Sequence, residues 1–376
     1  MSKICQKQDY GCVYYPGFNC DSNYLSNTNM ISKLQIYDSV AKNELFFGEI
    51  ICKINNYRFY FLPVINSCEI NTAKVSIKNI EHCKIINDKI DNKYILMNME
   101  YDYNISFKNI FIDNKKSKKH RILLYIDSFK YLCLSLQKLL DNNIIHFDIK
   151  ENNIVFNKKT ENPLIIDFGI SILIKNIIQN KSLVSKEILK KYFYKYEPTY
   201  YVWPLEVHVI SYLLHESPFL NNDSIKVIVS NYVNNNKALN IFSDVLKNDY
   251  FNICVKYLSK YIKYSDTAII QKLISFCNTW DMYSLSIIYL KYLRYLFFDG
   301  FINNSFTTKI SQILLINIHP NPDIRINPTD SNKQINDLLY MDNNSKSYQK
   351  LIDNFNDKNI SDYLIDDPVI SNRPTF

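Results

Sequence analysis

Three features of the sequence predict an α+β chain in which a smaller strand-rich portion precedes a larger helical one. Short apolar runs with strand-like alternation dominate the first hundred residues. A long segment with helical apolar spacing begins at Arg121. Two short apolar runs, 154–157 and 164–166, flank a Lys-Lys-Thr-Glu-Asn-Pro turn inside the otherwise helical remainder.

In chain order, residues 10–15 and 29–34 read as strands, and 44–54 carries apolar residues at helical spacing. Residues 59–65 and 94–99 again read as strands. From residue 121, Leu123, Ile126, Phe129, Leu132, Leu136, Leu139 and Leu140 make one face of a long helix, which Asp141-Asn142-Asn143 stops. The change of class sets the expected boundaries: residues 1–101 form the smaller portion, residues 102–342 the larger, and residues 343–376 a polar tail rich in Asp, Asn and Ser.

The 376 residues suffice for one large bilobal unit or two ordinary domains, and 47% hydrophobic with 14% aromatic content excludes global disorder. A net charge of +7 argues for neither nucleic acid nor a membrane surface as partner, and the basic run 115–121 reads as a solvated loop before a helix. The most apolar stretch, 285–298, is broken by Lys291 and Arg294, so no membrane span is expected. Nine scattered cysteines without a C-x-x-C pair argue against a zinc or disulfide framework and for a reducing compartment, hence a cytoplasmic protein.

The chemistry concentrates in two motifs. His146-Phe147-Asp148-Ile149-Lys150-Glu151-Asn152-Asn153 follows the long helix, and Asp167-Phe168-Gly169 ends the next apolar run. Phosphoryl transfer asks a protein mainly for positioning and charge neutralisation, and these residue types supply both. Asp148 would orient the attacking hydroxyl, Lys150 would neutralise the γ-phosphate, and Asn153 with Asp167 would hold Mg²⁺.

With these motifs the chain resembles the eukaryotic-type protein kinases, which implies a bilobal protein kinase fold: a small β-rich N-lobe and a larger helical C-lobe. The resemblance places Lys33 at the lysine that grips the α- and β-phosphates, Ile31 at the adenine ceiling, and Glu44, or Glu49 in its stead, as the partner of Lys33. Met99 falls at the gatekeeper position, with the backbone of Glu100, Tyr101 and Asp102 facing the adenine edge and Val155 below it. Where the family has G-x-G-x-x-G-x-V over the phosphates, this chain has Gln6, Gln8, Tyr10, Gly11 and Val13 in a run that keeps only the third glycine.

Further matches are Glu206, in Trp203-Pro204-Leu205-Glu206, with Arg325 as its buried ion-pair partner, and Asp281 as the aspartate that fixes the catalytic-loop backbone. Thr199 matches the threonine that bonds the catalytic Asp and Lys, and His146 the histidine that packs beneath Phe168. Phe147 replaces the family's arginine, which removes the docking cation for activation-loop phosphate. The stretch 207–279 is far longer than the family needs and reads as a helical insertion.

The resemblance therefore implies a serine/threonine protein kinase that uses ATP with Mg²⁺ or Mn²⁺ and takes a protein substrate. The Asn-rich composition and these motifs are similar to divergent kinases of large nucleocytoplasmic DNA viruses, which would place the protein in host cytoplasm or the virion. Two other readings stay open: a pseudokinase scaffold, favoured by the lost glycines, and a small-molecule phosphotransferase of kinase-like fold.

Overall fold

The computed structural model describes residues 3–8, 11–20, 26–70, 83, 85–86, 93–101, 104–112, 117–179, 182–297 and 305–340. Tyr10, Asp102 and the tail 343–376 lie outside the described residues. The chain is α+β, strand-rich at its N-terminal end and helical beyond, and divides into two compact units.

The first unit comprises residues 1–110 and 152–171. Its main sheet is antiparallel in the order β1-β2-β3-β5-β4, with β1 at Lys3–Gln8, β2 at Gly11–Tyr15, β3 at Met30–Ile36, β4 at Asn66–Ile70 and β5 at Tyr94–Glu100. Between neighbours on both sides, β5 is buried from Tyr94 to Asn98, and successive side chains enter opposite cores. Tyr94 and Leu96 join Cys12, Tyr14, Phe18, Leu34 and Ile70 on one face. Ile95 and Met97 join Ala41 and Val64 on the other, where helix α1 (Ser39–Ile51) lies.

The start of α1 is set by Asp38, whose carboxylate accepts from Ala41 N at 2.9 Å. The helix thus begins well before residue 44, where apolar spacing alone starts it. Residues 59–65 correct the expected strand: Tyr57–Phe59 is a 3-10 turn, and the ladder begins at Asn66. The segment is apolar because it docks on the strand Pro163–Ile165, with Leu62 N donating to Ile165 O and Ile165 N to Tyr60 O, both at 3.0 Å.

Two disulfides, Cys12–Cys83 and Cys20–Cys68, correct the expectation of unpaired cysteines. Their partners are 71 and 48 residues apart in sequence, and the sheet brings them into one core.

A second sheet of this unit has the order β9-β8-β6, from β6 (Asn104–Ser106), β8 (Ile154–Asn157) and β9 (Pro163–Ile165). Pairing of β8 with β6 draws residues 152–171 into the first unit, so the compact division falls at 110 and returns at 152, whereas composition placed a boundary at 101.

The second unit comprises residues 111–151 and 172 onward. A short helix α2 (Phe107–Ile112) contains the crossing point at 110. Helix α3 (Lys118–Asp141) buries Ile126, Phe129, Leu132, Leu136 and Leu139 of the stripe expected from spacing, leaves Leu123 and Leu140 half-buried, and buries Ile122 in addition. It packs on α9 (Trp280–Phe297) and α11 (Pro328–Tyr340), and α10 (Ser305–Asn317) packs on both of these. Tyr125 Oη donates to Tyr289 O at 2.6 Å, tying α3 to α9 through a buried polar contact.

Strands β7 (Ile144–Ile145) and β10 (Ile172–Leu173) pair within this unit, and α4 (Lys186–Leu189) follows. Residues 207–279 are helical: α5 (Leu205–His215), α6 (Asn222–Asn235), α7 (Asp244–Ser259) and α8 (Asp266–Ile274). Helix α5 packs on α6 and α8, and α6 on α7.

Candidate active site

The predicted site residues separate into two sets, one in each unit. In the first unit, Lys33 stands on β3 opposite Val13 on β2 and Met97 on β5, while Ile31 lies opposite Met99. By the two-residue period of a strand, Val13, Ile31, Lys33, Met97 and Met99 share the face that carries α1.

Lys33 therefore meets α1. Its Nζ lies 2.7 Å from Glu44 Oε2 and 3.4 Å from Asp167 Oδ1. Glu49 is exposed, so Glu44 is the partner. Burial alone would lower the Lys33 pKa, but the carboxylates of Asp167 and Glu44 overcome it and raise it above the usual lysine value, so the ammonium stays charged. Burial favours a neutral Glu44, and the ammonium opposes it. The 2.7 Å contact, with Asp167 on the same cation, is that of an ion pair.

Asp167 has φ 66 and is held from both sides. Ile166 N donates to Asn153 O at 3.0 Å, and Phe168 is buried edge-on to Phe61. Asn43, one residue before Glu44 on α1, donates to Gly169 O and Ser171 O at 3.0 Å each. A Cβ on Gly169 would lie 2.8 Å from Val40 Cγ1, so glycine lets this turn approach α1 closely. The side chain of Asp167 is 33% exposed, which leaves it open to a ligand, whereas Asn153 is buried.

The remaining nucleotide candidates have mixed fates. Gln6 and Gln8 belong to β1 and pair antiparallel with Val13 and Gly11 on β2. Gly11 has its own packing reason to be glycine, since a Cβ there would come within 2.5 Å of Leu34 O. Ile31, Val13, Met99 and Val155 are half-buried, an apolar lining not closed off from solvent. Glu100 pairs with Arg58 at 2.8 Å. The N–H of Tyr101 donates to Asn29 O at 3.0 Å.

The second unit holds Asp148 and Lys150. Buried Asp281 accepts from His146 N at 2.7 Å and from Phe147 N at 2.9 Å, so one carboxylate clamps two consecutive amides. This fixes Phe147 at φ 67, and its carbonyl accepts from Trp203 Nε1 at 2.8 Å. The Phe147 ring stacks on Trp203 and packs against Phe193 and Trp280, so aromatic contacts hold this side chain. His146 is fully buried, with Nδ1 accepting from Asp148 N at 3.3 Å.

Both oxygens of Asp148 are engaged. Lys150 Nζ lies 2.8 Å from Oδ2, and Tyr200 Oη donates to Oδ1. Lys150 Nζ also donates to Tyr200 Oη at 3.3 Å. Thr199 is exposed and donates instead to Glu197 at 2.6 Å, so the hydroxyl on the aspartate comes from Tyr200, one residue later than expected. Its only signal in the sequence is the Tyr-Tyr pair following Thr199. Glu206 and Arg325 form a buried two-point pair at 2.6 and 3.0 Å, and Arg325 Nε donates to His319 O at 2.8 Å.

No protein-family model matches the chain. It is 26% identical over 181 residues to samkD of Dictyostelium discoideum, named a probable inactive serine/threonine-protein kinase. That similarity covers 44% of this chain and 32% of the Dictyostelium protein, so the chain spans about a third of the relative's length. This similarity suggests a kinase-like relationship, and an α+β chain that is strand-rich and then helical is compatible with a kinase fold. No described helix is long and apolar enough to cross a membrane.

Proposed function

We propose that this protein transfers the γ-phosphate of ATP to protein hydroxyls. The observation that carries the reading is the Lys33 ammonium held between Glu44 and Asp167 at 2.7 and 3.4 Å, a buried cation with one carboxylate left partly open. A structural ion pair needs only one carboxylate; the second, one third exposed, supports the reading of a phosphate and metal site.

Mg²⁺ would be held by Asp167 and Asn153. Among the described residues no cluster of three His, Cys, Asp or Glu forms a cage. One carboxylate and one amide suit a cation that takes its other ligands from phosphate and water. When bound, the ion neutralises phosphate charge. Lys33 would bind the α- and β-phosphates, Asp148 would orient the acceptor hydroxyl and take its proton, and Lys150 would balance the γ-phosphate charge. Lys150 supports Ser/Thr acceptors; Thr199, turned to Glu197, lends that choice no support. The likeness to viral kinases rests on the Asn-rich composition and the sequence motifs.

A second reading, a nucleotide-binding scaffold without turnover, is favoured by Gln6 and Gln8 in place of the phosphate-loop glycines and by the inactive relative. Calorimetric titration of the chain with MgATP, run beside a transfer assay on casein and histone, separates the two. Binding with transfer supports the kinase; binding without transfer supports the scaffold; absence of both removes each.

A further inference from the structure

The two disulfides of the first unit pack in one core but differ in access. Cys12 and Cys83 are each 2% exposed, enclosed with Tyr14, Phe18, Leu34 and Leu96. Cys20 and Cys68 are only half-buried and pack against that core from its margin. Cys68 stands on β4, an edge strand of the main sheet, beside the exposed Glu69. Thiol–disulfide exchange requires a thiolate to reach one sulfur of the bond, so it is open to Cys20–Cys68 and closed to Cys12–Cys83.

The two sulfurs of the open bond are not equivalent. Ser32 on β3 faces Asn98 on β5, and both are fully buried. Ser32 Oγ accepts from Phe18 N at 2.8 Å and donates to Asn98 Oδ1 at 2.5 Å. Asn98 Nδ2 donates to Phe18 O at 2.9 Å, and because a carbonyl can only accept, this contact fixes which end of the amide is nitrogen. The same nitrogen donates to Cys20 Sγ at 3.6 Å. An N–H aimed at a sulfur favours its charged form, so Cys20 is the better leaving thiolate.

We propose that Cys20–Cys68 is an exchange site for small monothiols, attacked at Cys68, and that Cys12–Cys83 is a closed structural bond. The incoming thiolate forms a new S–S bond to Cys68 Sγ. The Cys20–Cys68 bond breaks, and its electron pair leaves with Cys20, whose thiolate takes a proton from water. A second monothiol then attacks the added sulfur, which releases Cys68 as a thiol and the monothiol as its own disulfide. In sum the protein gains two electrons and two protons, and two monothiols are oxidised.

The test incubates the native, oxidised full chain with reduced glutathione, quenches samples in acid at early times, blocks free thiols with a maleimide and maps the peptides without reduction. Glutathione is expected on Cys68 and the maleimide on Cys20, with Cys20–Cys68 opening at least about 10-fold faster than Cys12–Cys83. Glutathione chiefly on Cys20, equal opening of the two disulfides, or no opening of Cys20–Cys68 overturns the proposal.

The same incubation in urea removes the fold. Both disulfides should then open at similar rates, and the preference for Cys68 should vanish with the Asn98 contact. A preference that persists in urea would come from the local sequence and would overturn the role given to Asn98.

Discussion

Arg325 grips Glu206 through two hydrogen bonds of 2.6 and 3.0 Å, with the two side chains 1% and 0% exposed. Arg325 also donates to Thr279 and His319, so it joins α5 to the segments before α9 and α11. Replacing Arg325 with Ala strands a buried carboxylate, and the expected loss is about 3–5 kcal/mol of stability. Urea denaturation followed by far-UV circular dichroism checks it. A loss below about 1 kcal/mol, the value of a surface pair, would contradict the account.

Lys33→Met removes the cation shared by Glu44 and Asp167 and leaves Glu44 buried without its partner. Affinity for MgATP should fall roughly 100-fold, in the range of a lost charge-stabilising donor. Isothermal titration with MgATP measures it; unchanged affinity would move the phosphate lysine elsewhere. Glu49→Gln, on the exposed face of α1, should leave affinity unchanged.

Buried His208 has its pKa pushed down to about 4 by burial, against 6.5 for a free histidine. Between those values the unfolded chain holds a proton that the folded chain refuses, so this residue's contribution is complete above about pH 6.5 and is lost as pH falls toward 4. From pH 7 to pH 5 the loss amounts to about 2 kcal/mol. Unfolding free energies from urea titrations at the two pH values should differ less by that amount in His208→Gln. An equal pH dependence in both proteins would show that His208 takes up its proton while folded.

Cys12–Cys83 and Cys20–Cys68 close loops for which chain entropy predicts roughly 4 kcal/mol of stabilisation each. Alkylation under denaturing conditions without reductant should give four fewer adducts than with reductant, two for each disulfide. Reductant should also lower the thermal midpoint. Equal adduct counts would contradict the pairing.

The features legible in the sequence were those carried by period and chain order. The α3 stripe follows from spacing alone, Asp167 from its Asp-Phe-Gly motif, and Lys33 and Glu44 from the resemblance to the protein kinases. Their meeting on one ammonium depends on strand parity, which puts Lys33 on the α1 face. What escaped depends on distance in space or on a single residue of turn geometry. Nothing in the spacing of Cys12 and Cys83 shows that the sheet joins them. Whether Thr199 or Tyr200 reaches Asp148 depends on the backbone between Glu197 and Trp203. The apolar run 59–65 looks like a strand because burial, not pairing, set its composition.

The proposed function gives Asp148 the part of the base in phosphoryl transfer. The most direct test measures MgATP affinity and the initial rate of γ-phosphate incorporation, into the chain and into casein, for wild type and Asp148→Asn. The account predicts affinities within about twofold of each other and a rate lower by roughly 10²–10⁴ in the variant, the usual contribution of a positioned base. Equal rates in the two proteins, or no incorporation by wild type with MgATP bound, would contradict it.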